Sequence, residues 1–142
     1  MAKKKQIDFD KINAALDRLA ETLPRRAGVY MLNHSKKAFR DQGFTDDSLS
    51  PWAKRTTKNA SDRNNSSSRA ILIDSGNLRR SLRIRKATFK EVAVGSYGIP
   101  YAKRHNQGLK GMPRRPFVGD SRVLTKKLTD LCFKEFKKAL EA

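Results

Sequence analysis

The chain has 142 residues and a formal net charge of +18, since 32 lysines and arginines outnumber 14 aspartates and glutamates. This length predicts one domain with a modest core, and the charge favours polyanionic surroundings while opposing self-association unless it is spread or neutralised. A single cysteine, Cys132, excludes an internal disulfide and a cysteine-rich zinc site, and no apolar run approaches the ~18 residues of a membrane-spanning helix.

The first 40 residues predict helical structure after a basic, solvated tail at residues 1–6 that lacks the apolar run of a signal peptide. Asp8 or Asp10 can cap the first helix. Its apolar positions follow the three- and four-residue steps of one helical stripe: Phe9, Ile12, Leu16, Leu19 and Leu23. Pro24 either ends this helix or begins a second one at its first turn. Residues 25–39 predict helix again, so two helices in series and one kinked helix both fit the pattern.

A long polar loop is predicted at residues 41–69, where Ser, Thr, Asn, Asp and Lys dominate. The run at residues 59–68 has too little apolar surface to offset the entropy lost on ordering it. We therefore expect this loop to be mobile in the free protein. Within it, residues 50–52 predict a short helical start that places Trp52 against the core.

The middle of the chain predicts an antiparallel hairpin. Residues 71–73 form a short apolar run that predicts a strand or the approach to one. Residues 74–81 predict a turn or a single helical turn anchored by Leu78. Apolar residues then alternate with arginines over residues 82–85, and valines alternate again over residues 92–94, which is the period of half-buried strands.

The last third predicts a short helix at residues 99–106, a basic loop rich in Gly and Pro, and a final helix capped by Asp120 or Ser121. The apolar face of that helix is predicted to consist of Val123, Leu124, Leu128, Leu131, Cys132, Phe136 and Leu140. Together the elements predict the α+β class. The N-terminal and C-terminal helices are expected to cover one face of a small antiparallel, hairpin-based sheet.

Ser75 beside Asp74, with His34 and His105 elsewhere, raises the question of a catalytic triad. No G-x-S-x-G elbow is present, and Asp and Ser before a helical turn are ordinary capping residues. Two histidines without an acidic cluster also make a poor metal site. We therefore expect a protein that is not an enzyme, with no catalytic residue, metal or cofactor.

Basic side chains offer a candidate binding surface. On a strand, Arg83 and Arg85 share one face opposite Leu82 and Ile84, which predicts a sheet with one apolar and one positive face. That face could contact DNA phosphates without any sequence requirement, contact acidic partner subunits, or remain solvated. The candidate residues for a DNA-facing or partner-facing surface are Arg79, Arg80, Arg83, Arg85, Lys86, Lys103, Arg104, Arg114 and Arg115.

Five short motifs occur in order along the chain. They are Trp52 after an acidic, glycine-bearing linker, S-G-x-L-x-x-S from Ser75, V-G-S ending at Ser96, Y-A-x-x-H-x-x-G from Tyr101, and R-P-F-x-G-x-S from Arg115. Their order and spacing resemble the phage virion morphogenesis, or tail-completion, proteins of Mu-type and related long-tailed phages. The positions that carry the resemblance are Trp52, Ser75, Gly76, Leu78, Ser81, Gly95, Tyr101, Ala102, His105, Gly108, Pro116 and Phe117.

The resemblance implies one α+β domain over residues 1–142 with a structural role in finishing the tail or joining it to the DNA-filled head. Such proteins form homo-oligomeric rings, commonly of six subunits, around the channel that the genome passes. The implied partners are other head–tail connector and tail proteins, with a possible non-specific contact to phage DNA and no membrane. The implied location is the neck or tail of the virion, after assembly in the host cytoplasm. The alternative is a free basic protein that binds nucleic acid without sequence specificity.

Overall fold

The computed structural model describes residues 6–54, 70–73 and 75–142. The predictions for most of the basic tail, for the mobile loop beyond residue 54 and for Asp74 concern residues outside these ranges. In chain order the elements are α1 (Phe9–Asp41), β1 (Gly43–Thr45), β2 (Leu49–Pro51), α2 (Asn77–Arg80), β3 (Leu82–Ala87), β4 (Val92–Ser96), α3 (Ala102–Gln107) and α4 (Arg122–Leu140). The α+β class is confirmed, with two small antiparallel sheets, β1–β2 and β3–β4.

Helix α1 is one continuous helix of 33 residues, so of the two alternatives that the sequence left open, two helices in series is excluded. Asp8 caps it, because its carboxylate accepts a hydrogen bond from the backbone N–H of Lys11 at 3.2 Å. Pro24 lies inside the helix and is buried. Proline removes one helical hydrogen bond, but the buried side chains Leu19 and Leu23 hold the preceding turn against the rest of the fold.

The hairpin β1–β2 lies within residues 41–69, where the sequence predicted a loop, and it corrects that prediction at its start. Phe44 pairs with Ser50, so the predicted helical start at residues 50–52 is wrong. A Cβ on Gly43 would lie 2.5 Å from the carbonyl oxygen of Ser50, and only glycine permits this close pairing. Trp52 follows the hairpin and is buried, as predicted.

Residues 71 and 72 lie in a turn, in which the N–H of Ile73 donates to the carbonyl of Ala70 at 3.3 Å. Of the two predictions for residues 71–73, a strand or the approach to one, the strand is therefore wrong. Leu72 has a φ of 61°, which a strand cannot contain. The side chain of Gln42, just past α1, holds this turn: its Oε1 accepts from the N–H of Ile71 at 2.5 Å and its Nε2 donates to the carbonyl of Ile71 at 3.2 Å. A long-range side-chain contact thus replaces strand pairing.

Strands β3 and β4 form the predicted antiparallel hairpin, with Leu82 opposite Ser96 and Ile84 opposite Val94. The register shifts between Ile84 and Lys86, which is a bulge at Arg85. Leu82 is buried while Arg83 and Arg85 are exposed. The prediction of one apolar and one positive face is therefore confirmed.

Helix α1 is central to the fold because it contacts α4 and both strands β3 and β4. Ser121 caps α4 by accepting from the N–H of Leu124 at 3.2 Å, and its hydroxyl donates to the carbonyl of Thr45 at 2.7 Å. Further along, Arg26 and Glu135 form an ion pair at 2.8 Å. The start of α4 therefore lies near the end of α1, and the two helices run antiparallel.

The predicted apolar faces of the two long helices are only partly buried. Leu131 and Ala139 of α4 pack against Leu19 and Leu23 of α1. Phe136 and Leu140 lie on the exposed side of α4, because they are turned about 100° from the buried positions. Phe9, in the first turn of α1, is 69% exposed. The predicted stripes are wrong at these three positions.

Gly28 permits the close approach of α1 to β3. It is buried, and a Cβ there would lie 3.0 Å from Cδ1 of Ile84.

We expect Gly28→Leu to lower the free energy of unfolding by about 1–3 kcal/mol, because the added side chain must displace Ile84. Gly28→Ala should stay within ~1 kcal/mol of the wild type, since better helix propensity offsets the tight contact. Urea denaturation measures both. Ala20→Leu, at an exposed position of the same helix, is the control, and equal midpoints for both leucine variants would contradict the prediction.

Candidate functional site

The residues of the sequence motifs meet in one buried core. Phe39 of α1 lies at its centre with 1% of its surface exposed. The ring of Trp52 contacts Phe39 edge-on at 5.4 Å between centroids, and the ring of Phe117 lies 5.3 Å away. Leu78 and Ala102 belong to the same buried cluster. Four motifs that are distant in sequence therefore contribute to a shared core.

Polar contacts join the segment around Trp52 to the R-P-F motif. The indole N–H of Trp52 donates to the carbonyl of Pro116 at 2.8 Å. The guanidinium of Arg115 donates twice to the carbonyl of Ala53, at 2.9 Å from Nε and 2.7 Å from Nη2. Arg115 is only 7% exposed, so its prediction as a surface residue facing DNA or a partner is wrong. Its guanidinium instead holds the chain just after Trp52 through these hydrogen bonds.

The Y-A-x-x-H-x-x-G motif supports the loop that follows α3. The backbone N–H of Arg115 donates to the carbonyl of His105 at 2.8 Å. Gly108 ends the helix with a φ of 68°, and a Cβ there would lie 2.9 Å from the N atom of Arg114. Asn106, which sequence reasoning missed, accepts hydrogen bonds with Oδ1 from the N–H groups of Phe117 and Val118 at 2.9 and 3.0 Å. Its only sequence signal was its position inside this motif.

The S-G-x-L-x-x-S motif joins α2 to the end of β4. Gly76 precedes α2 with a φ of 79°, which favours glycine. The hydroxyls of Ser81 and Ser96 lie 2.5 Å apart, so the motif is bonded to the V-G-S motif, of which Gly95 is a member. The hydroxyl of Ser75 accepts from the N–H of Asn77 at 3.4 Å, which is the expected role of a turn residue.

Ser75, Tyr101 and His105 line one cavity of about 370 Å³. The ring of Tyr101 contacts His105 edge-on at 6.0 Å. Burial, followed by the nearby charge of Arg115, lowers the pKa of His105, and its Nδ1 is buried without a hydrogen-bond partner. The lowered pKa favours the neutral imidazole, and the hydroxyl of Ser75 is not bonded to that nitrogen.

The remaining predicted basic residues are exposed and belong to several elements. The guanidinium carbons of Arg83 and Arg85 lie 5.4 and 5.2 Å from the centre of the Tyr97 ring, so both cations stack on one aromatic side chain. Lys86 pairs with Glu91 at 2.8 Å. The others lie on α2, on α3 or in the loop after α3: Arg79, Arg80, Lys103, Arg104 and Arg114.

The structure reveals a second basic surface, which we call the basic groove. It has a volume of about 610 Å³ and lies between α1, α2 and α4. Among its basic residues, sequence reasoning singled out only Arg79, because helical periodicity cannot show which faces of distant elements meet. The groove is lined by Val29, Tyr30, Asn33, His34, Lys36, Lys37, Arg40, Arg79, Leu124 and Lys127.

An apolar surface lies on the outer side of α4. We call Cys132, Phe133, Phe136 and Leu140 the α4 strip; they line one shallow groove of about 510 Å³. Phe133 is 77% exposed. The start of the chain's first helix offers further exposed apolar side chains, since Ile7 just before α1 and Phe9 in its first turn are both largely exposed. A large exposed apolar patch is typical of a contact surface between proteins.

Within the described residues, no three or more His, Cys, Asp or Glu side chains are grouped so as to hold a metal ion. In the same part of the chain, no helix has the length and apolar content needed to cross a membrane.

Comparison with known protein families matches residues 7–137 to the phage virion morphogenesis family. No curated protein and no solved structure matches the chain. The matched range contains all five motifs, and the structure shows that they contribute to one core and its supporting hydrogen bonds. This chain therefore belongs to the phage virion morphogenesis family.

Proposed function

We propose that this protein is a structural component of a tailed phage or prophage particle, where it forms a homo-oligomeric ring at the head–tail junction or the tail end. Family membership supports the role in virion morphogenesis. The observation that favours assembly is the α4 strip, because a chain with a net charge of +18 exposes a row of large apolar side chains there.

The position of the two apolar surfaces suits contacts between copies. The α4 strip lies on the outer side of α4, while Ile7 and Phe9 lie at the start of α1. Contact between two different patches of identical chains is head-to-tail, and such contacts close into rings when the rotation permits. A ring of six subunits remains the expectation from the family resemblance.

The proposal assigns no catalytic step to Ser75 or His105. The hydroxyl of Ser75 accepts from the backbone at the start of α2, and the imidazole of His105 lies edge-on to the ring of Tyr101. The backbone carbonyl of His105 also accepts from the N–H of Arg115, which supports the motif core. This arrangement favours structural roles for them.

We further propose that any contact with the genome involves exposed cations such as Arg83 and Arg85 and is independent of sequence. Two arginines stacked on Tyr97 form a positive surface without an element shaped to read base edges. A free nucleic-acid-binding protein is the alternative. The α4 strip favours the virion role over it, because an isolated DNA-binding protein has no need for an exposed apolar row.

The test replaces Phe133 and Phe136 together by glutamate. We expect subunit association to weaken by about 4 kcal/mol, on the order of 1000-fold, because two aromatic side chains that the proposed subunit contact buries become charged. Complementation of a phage that lacks this gene measures the yield of infectious particles, and light scattering gives the mass of the purified protein. Phe89→Glu, at an exposed turn position, is the control. A folded double variant that assembles normally would refute the α4 strip as the subunit contact.

A further inference from the structure

The basic groove concentrates positive charge from three separate elements. Lys36, Lys37 and Arg40 come from α1, Arg79 from α2 and Lys127 from α4. Lys37 and Arg40 contact the carboxylate of the half-buried Asp41 at 3.7 and 3.6 Å, and these long pairs to solvent-accessible cations contribute little stability. In the described part of the chain no acidic side chain lines the groove. The groove therefore has an excess of positive charge that its own walls do not neutralise.

The lining of the groove is partly apolar. Val29 and Tyr30 on α1 are both exposed, and Leu124 on α4 is half-buried. His34 lies beside them with its ring edge-on to Phe44 at 5.3 Å, and its Nε2 is buried without a hydrogen-bond partner. The lining thus combines cationic side chains, which we call the walls, with the apolar side chains of Val29, Tyr30 and Leu124, which we call the floor. Its volume of about 610 Å³ admits a few anchoring side chains rather than a whole domain.

We propose that the basic groove binds an acidic, amphipathic segment of a partner protein. The carboxylates of that segment pair with the cations of the walls, and its apolar side chains contact Val29, Tyr30 and Leu124. Charge complementarity selects an acidic partner, and the apolar floor selects a peptide over nucleic acid, because a phosphate backbone has no apolar side chains to place there. An acidic partner would also neutralise charge that opposes assembly of this chain.

This inference deepens the proposed role in particle assembly by naming the chemistry of a neighbour. It does not depend on the α4 strip, which lies on another side of α4 from Leu124 and Lys127. The binding test uses the purified chain alone. Failure of binding and failure of complementation by the Phe133 and Phe136 variant are therefore separate results.

The experiment measures fluorescence anisotropy with three labelled probes. The first is a synthetic peptide with glutamates and leucines at helical i, i+3, i+4 spacing, and the second has the same glutamates with serine in place of leucine. The third is a short duplex DNA. We expect the wild-type protein to bind the leucine peptide at least ~10-fold more tightly than the serine peptide, because only leucine contacts the floor.

Two double variants distinguish an effect of the groove on binding from an effect of net charge. Lys36→Glu with Arg40→Glu should weaken binding of the leucine peptide by ~10- to 100-fold, because two attractive pairs become repulsive. Arg83→Glu with Arg85→Glu changes the net charge equally on a different surface and should change that affinity less than ~3-fold. All four residues are exposed, and circular dichroism checks that both variants fold.

Three results would overturn the proposal. Equal affinity for the two peptides would show that the floor makes no contact. Equal losses in the two double variants would show that only net charge matters. Tighter binding of the duplex DNA, lost specifically in the Lys36 and Arg40 variant, would make the groove a nucleic-acid surface.

Discussion

Replacement of Phe117 by alanine is expected to lower the free energy of unfolding by about 3–5 kcal/mol. The Phe117 side chain is 2% exposed and packs against Phe39, which in turn packs against Trp52. Its loss leaves a cavity at the point where the motifs meet. Because a domain of this size has a total stability of roughly 5–15 kcal/mol, the variant should be close to unfolded at 37 °C.

Urea denaturation followed by tryptophan fluorescence measures this effect well, because Trp52 is the single tryptophan and lies in the same core. Phe89→Ala is the matched control: the same atoms are removed at a turn position that is 66% exposed. We expect that control to change stability by less than ~0.5 kcal/mol. Similar denaturation midpoints for the two variants would show that Phe117 does not fill the core as described.

Asn106→Ala should have the second-largest effect on stability, a loss of about 2–4 kcal/mol. Its side-chain oxygen accepts from the N–H groups of both Phe117 and Val118, and alanine leaves both donors without that acceptor. Each buried backbone group that loses its partner costs ~1–3 kcal/mol. Asn106→Asp keeps the acceptor and should lose less than ~1 kcal/mol.

Amide hydrogen exchange tests the mechanism directly. In the alanine variant the amides of Phe117 and Val118 should exchange faster than in the wild type, whereas the aspartate variant should keep them protected. Equal protection of these amides in the two variants would contradict the assigned role of Asn106, even if both variants were less stable. The pair of substitutions therefore separates the effect of losing the hydrogen-bond acceptor from the effect of changing the side-chain volume.

Local patterns in the sequence were sufficient for the elements whose partners are close in the chain. The alternation over residues 82–85 and 92–94 predicted β3 and β4, because strand pairing across a short turn depends mainly on which residues face the core. Each helix cap was predicted as one of two neighbouring residues, and the structure shows Asp8 and Ser121, since capping is a bond to a backbone group three residues away. The resemblance of the five motifs was confirmed by the family match.

Local patterns failed where a distant contact opposed a local preference. Pro24 and Gly28 are poor helix residues, yet α1 continues through both because it packs on α4 and on Ile84 of β3. The apolar run at residues 71–73 is bent into a turn by Gln42, about 30 positions earlier. These outcomes depend on which elements become neighbours in space, and periodicity within one element does not contain that information.

The composition and motifs by themselves determined the charge, the fold class, the hairpin β3–β4 and the family of this protein. Only the tertiary structure decided the use of each charged or apolar side chain. Arg115 donates hydrogen bonds inside the fold because the carbonyl of Ala53 lies beside it. Lys36, Arg79 and Lys127 instead line one basic groove, because the three elements that carry them converge. The α4 strip stayed exposed because α1 covers only one side of α4. The type of a residue determines which groups it can bind, but the packing of distant elements determines which groups lie next to it.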